Sequence, residues 1–88
     1  MEIKSENPTL GELGVKFSDA QLLAVQRAIH ISGAGDHPAP DRKTIPHFRA
    51  RYVIDCCVST LKLRKGNREW LLQALDEIRN AAIRARSN

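Results

Sequence analysis

Residues 30–57, HISGAGDHPAPDRKTIPHFRARYVIDCC, contain all three histidines and both cysteines of the chain. These side chains bind metals, take up protons and act as nucleophiles, so any reactive centre should lie here. Structural zinc sites use ligands about two to four residues apart, because one turn must present two of them to one ion. Here His30, His37, His47 and Cys56 are separated by six, nine and eight residues, and Cys57 follows immediately. No pair has ligand spacing, and no metal is expected.

Cysteine catalysis fares no better. If His47 and Cys56 share a helix, nine residues put them roughly 13 Å apart, far beyond a hydrogen bond. Asp76 and Glu77 are sequence neighbours on a polar helical face, not two carboxylates across a cleft. The Gly33-Ala34-Gly35 stretch follows a helix and runs into prolines, whereas a phosphate-binding loop precedes one. In a helix Cys56 and Cys57 point about 100° apart and have no third cysteine to pair with, so both are expected to be reduced packing groups. The expectation is a non-enzymatic protein without a cofactor.

The elements that position these residues read as all-α: one three-helix domain over residues 17–88, preceded by an N-terminal arm over 1–16. The arm contains Pro8, Gly11 and Gly14, with Leu10, Leu13 and Val15 as its apolar anchors. It is expected to be irregular, with room for one helical turn after Thr9. The first helix spans about 18–32. Ser18 and Gln21 form a capping box, Phe17 and Leu22 form a hydrophobic staple, and Asp19 complements the helix dipole. Leu22, Ala24, Val25, Ala28, Ile29 and Ile31 share one face, and Gly33 is expected to end the helix in a left-handed conformation. A Pro/Gly loop follows, because Pro38 and Pro40 disfavour helical angles at His37 and Ala39.

The second helix spans about 45–64, with Thr44 as cap and Pro46 in the first turn. Ala50, Val53, Ile54, Cys57, Val58 and Leu61 form one apolar arc, and Ile45, Phe48, Tyr52 and Cys56 form another. A strand is the rival reading of "YVIDCCVST", but Val53, Ile54, Cys56, Cys57 and Val58 follow no period of two. The third helix spans about 68–86, capped by Asn67. Trp70, Leu71, Ala74, Leu75, Ile78, Ala81, Ala82 and Ala85 form its apolar stripe. The four-residue link between the second and third helices implies an antiparallel hairpin.

Charge supplies the functional expectation. Residues 1–41 carry three basic and six acidic side chains, net −3, whereas residues 42–88 carry eleven and four, net +7. Two basic groups stand out: Arg42, Lys43, Arg49 and Arg51 near the start of the second helix, and Lys62, Arg64, Lys65 and Arg68 at the hairpin turn. Such side chains bind phosphates without reading sequence. The expected function is a small regulatory protein that binds nucleic acid through its basic C-terminal half. A helix-turn-helix is not expected, since the third helix opens with Trp70, Leu71 and Leu72 instead of polar groups for base edges.

The alternative is an adaptor or inhibitor, of a phage or plasmid type, that docks on a protein partner. Its interface would be Ile45, Phe48, Tyr52 and Cys56, the second apolar face of the second helix, and a homodimer is expected through the same seam. In a competing arrangement the N-terminal arm folds over that face and completes a monomeric core. No apolar run approaches the roughly 20 residues that span a bilayer. The first six residues have neither a basic region nor an apolar stretch, so the expected location is cytoplasmic.

Overall fold

The computed structural model describes residues 7–33, 40–63 and 68–87. The chain is all-α: α1 is Leu10–Leu13, α2 is Asp19–Ser32, α3 is Ala50–Leu63 and α4 is Arg68–Ser87, with a 3-10 turn at Ile45–His47. No strand forms among the described residues. The expected Pro/Gly loop lies largely, and the basic hairpin turn with the Asn67 cap wholly, outside them.

Helix α2 begins as its sequence dictates. Ser18 Oγ accepts from the Gln21 N–H at 3.2 Å, and Gln21 Oε1 accepts from the Ser18 N–H at 2.8 Å. Leu22, Ala24, Val25, Ala28 and Ile29 are buried, and this face packs against both α3 and α4. Its C-terminal end corrects the expectation. Gly33 sits at φ −84°, not in the left-handed region. A glycine is required there because an added Cβ would come within 2.8 Å of the Ile29 carbonyl oxygen.

The N-terminal arm is a built element from Thr9 onward. Thr9 caps α1 with a capping box of its own: its Oγ1 accepts from the Glu12 N–H at 3.2 Å, and Glu12 Oε1 accepts from the Thr9 N–H. Gly14 closes the helix at φ +68°, the left-handed conformation that was expected of Gly33. Leu10 is buried in the common core. The backbone secures this docking: the Leu10 N–H donates to the Phe48 carbonyl, and the Ala50 N–H donates to the Pro8 carbonyl, each at 2.9 Å. Four α-helices therefore stand among the described residues where three were expected.

Those two bonds also account for the later start of α3. A helix beginning at residue 45 would have turned the Phe48 carbonyl inward to its own chain. Instead Phe48 is extended (φ −74°, ψ 141°), and the helix starts at Ala50. Thr44 stands at the cap position of the 3-10 turn, with Pro46 inside it as expected, but makes no side-chain capping bond. Its Oγ1 accepts from the Asp41 N–H at 3.0 Å, while Asp41 Oδ1 accepts from the Lys43 and Thr44 N–H groups, so residues 41–44 form a self-bonded turn. Arg42 reaches back to Asp19 at 2.7 Å and joins this turn to the start of α2.

The core consists of Leu10, Leu22, Val25, Ile29, Ile45, Val53, Cys56, Cys57, Leu71, Leu75, Ile78 and the small alanines between them. The stripe of α4 matches expectation at Leu71, Ala74, Leu75, Ile78 and Ala81, but Trp70 remains 45% exposed. The radius of gyration, 12.4 Å, is close to the roughly 12 Å expected of a packed chain this long.

Candidate nucleic-acid interface

The eight basic residues expected to meet phosphate divide into three groups. Arg42 and Arg49 are engaged within the chain. Arg42 pairs with Asp19, and Arg49 donates to the Asn7 carbonyl at 2.8 Å while lying 3.8 Å from Glu12. Lys43, Arg51, Lys62 and Arg68 are exposed, and none has an ion pair among the described residues. Arg64 and Lys65 lie outside the described residues.

Arg51 and Lys62 fall on one line of α3. Eleven residues make almost three full turns, so the two side chains leave the same face about 16 Å apart along the axis. Asp55 is exposed between them, one turn from Arg51. Arg68 opens α4, four residues beyond the end of α3. The sequence analysis passed over one exposed group: Arg79, Arg84 and Arg86 extend the positive surface along α4, with Arg84 3.8 Å from Glu77. Their signal in the sequence is the crowding of cations near the end of the helix, a pattern that the helix dipole also favours.

The four residues of the second apolar face have separate fates. Ile45 and Cys56 are each 3% exposed and belong to the chain's own core. Phe48 is half-buried and Tyr52 is 42% exposed. The two rings stack, with centroids 6.0 Å apart and planes 15° from parallel. The Tyr52 hydroxyl hydrogen-bonds to Cys56, which with partial burial raises its pKa above the usual tyrosine value. Burial pushes the Cys56 thiol up as well, although hydrogen bonds from Tyr52 and Ser32 pull the other way. Burial also pushes the Cys57 thiol up to about 12. Both cysteines are free and buried.

His30 and His47 are exposed on different elements, and His37 lies outside the described residues. Among the described residues no three histidine, cysteine or carboxylate side chains converge as metal ligands do. A cleft of about 200 Å³ opens beside α1 and the 3-10 turn, lined by Leu10, Val15, Phe17, Leu22 and Ile45 with Arg42 at its edge. Its lining offers no nucleophile and no base. No helix among the described residues is long and apolar enough to cross a membrane. No family model, curated protein or solved structure matches the chain.

Proposed function

We propose that the chain is a small, non-enzymatic regulatory protein that binds nucleic acid through the basic surface of its second half. The observation that carries this reading is the set of exposed cations at Lys43, Arg51, Lys62 and Arg68, without an ion pair among the described residues, on a half-chain of net charge +7. Pairing within a protein would discharge such groups. Left without carboxylate partners, they keep a positive potential that attracts a polyanion and releases its counterions on contact. The line from Arg51 to Lys62 covers about 16 Å, the axial length of roughly five nucleotides at 3.4 Å each.

The adaptor reading has less surface to work with. Ile45 and Cys56, half of the seam it needs, are covered by the chain's own helices. What supports a protein partner or a homodimer is Phe48 and Tyr52 on α3, together with the exposed Trp70, Leu72 and Ile83 of α4.

The test is fluorescence anisotropy with labelled random-sequence DNA and RNA at 50 and 200 mM salt. Binding at the lower salt that weakens by about tenfold or more at the higher is the expected result, since each phosphate contact adds to the salt slope. Arg51→Gln and Lys62→Gln should each flatten that slope by about one unit. No detectable binding at 50 mM salt, in a protein shown to be folded by circular dichroism, rejects the reading.

A further inference from the structure

The buried core contains no aromatic ring: its members are Leu, Ile, Val, Ala and Cys, with Thr60. The chain has four aromatic residues, and all lie at least partly at the surface. Aromatic side chains ordinarily contribute most to core burial; Phe17 and Phe48 still pack against the core, whereas Tyr52 and Trp70 are exposed.

Tyr52 is the best defined of them. Phe48 supports one side of its ring, in near-parallel stacking. Its hydroxyl lies against Gly33, where an added Cβ would come within 3.6 Å of Oη. Phe48 is itself fixed, because its carbonyl accepts from Leu10 and its N–H donates to Ile45. The phenol ring is thus held in place yet 42% exposed. A rigid, partly open ring binds a flat partner at little cost in ordering. Its charge surroundings indicate which partner. Arg51 precedes it, exposed and without an ion pair among the described residues, Arg49 is three residues before it, and Asp55 is the carboxylate one turn further along α3.

We infer that the nucleic acid is single-stranded and that an unpaired base stacks on Tyr52, with Arg51 neutralising an adjacent phosphate. This rests on the nucleic-acid reading above and narrows it. Phosphate contact alone needs no ring, and a duplex flank offers no free base face. An unpaired base offers a π face regardless of its identity, and cations beside an exposed ring are the means by which sequence-tolerant single-strand binders hold it.

The experiment compares a labelled oligothymidine with a random-sequence duplex of equal length, at one salt concentration, against the wild-type chain and the Tyr52→Leu and Tyr52→Phe variants. Circular dichroism confirms folding and light scattering gives the mass of each variant. The wild type should bind the single strand about tenfold or more tighter than the duplex. Tyr52→Leu should lose about tenfold on the single strand and little on the duplex, and Tyr52→Phe should behave as wild type. Equal or tighter duplex binding, unaffected by Tyr52→Leu, overturns the inference and leaves the nucleic-acid reading standing. Binding to neither ligand defeats both. A wild-type dimer that Tyr52→Leu converts to monomer, without change in single-strand affinity, assigns the ring to a protein contact and overturns the inference.

Discussion

Cys57 is fully buried in α3 with its thiol pushed up to about 12, which makes stability depend on pH in a calculable direction. The unfolded chain releases this proton near its ordinary value of 9.0, whereas the folded chain retains it. The folded state therefore holds more protons between those values, and stability falls as pH rises through that window. The slope from this group reaches about 1.4 kcal/mol per pH unit. Below pH 9 its contribution is fully present. Urea denaturation at pH 8 and pH 10.5 should show the loss, and Cys57→Ala should be less sensitive to pH than the wild type, although less stable at pH 8. A second residue-scale effect sits at Gly14. An added Cβ there meets nothing within 4 Å, so Gly14→Ala should cost only the left-handed strain, about 1 kcal/mol in thermal or urea melts. Gly14→Asn should cost less, because asparagine tolerates that conformation.

At the scale of elements, local signals were legible and contacts between distant residues were not. The cap of α2 and the faces of α2 and α4 could be read because each depends on residues within one or two turns. The start of α3 could not. Thr44 and Pro46 are sound helix-start residues, but the helix begins at Ala50 because Phe48 and Ala50 give their backbone groups to Leu10 and Pro8. That pairing crosses some forty residues, and no periodicity encodes it. The helical turn expected after Thr9 is present, but its docking was not legible: the arm expected to be irregular is held by the capping box at Thr9 and by buried Leu10. Leu10→Ala should consequently cost about 2–5 kcal/mol, a core-like penalty measurable in urea, where a mobile arm would lose almost nothing. The second apolar face of α3 could be read in the sequence, which also offered the N-terminal arm as its cover; Ile45 and Cys56 are buried in the chain's own core, while Tyr52 stays exposed. For the candidate interface, the cations could be counted from composition, yet only coordinates separate Arg42 and Arg49, which are engaged, from Lys43, Arg51, Lys62 and Arg68.

At the scale of the whole molecule, charge is segregated more strongly than secondary structure. The carboxylates Glu12 and Asp19, which lie before residue 42, each reach a basic residue of the other half, at Arg49 and Arg42. These exposed pairs contribute little to stability, but they neutralise one edge of the positive surface and leave the α3 line open. Asp55 interrupts that line. Asp55→Asn should therefore tighten nucleic-acid binding a few-fold at low salt, with the gain shrinking as salt is added, by the same anisotropy measurement. A variant that binds no better would place the ligand away from α3.

The bond from Ala50 to Pro8 has a bearing on how the chain is made. Pro8 is made 42 residues before Ala50, and α1 also rests on α4, which is made later still. Helix α1 must wait for its seat, and closing that long circuit is the slow, entropy-costly kind of contact. Leu10, Leu13 and Val15 spend the interval uncovered, so the nascent protein is at its stickiest while its first helix has nowhere to go.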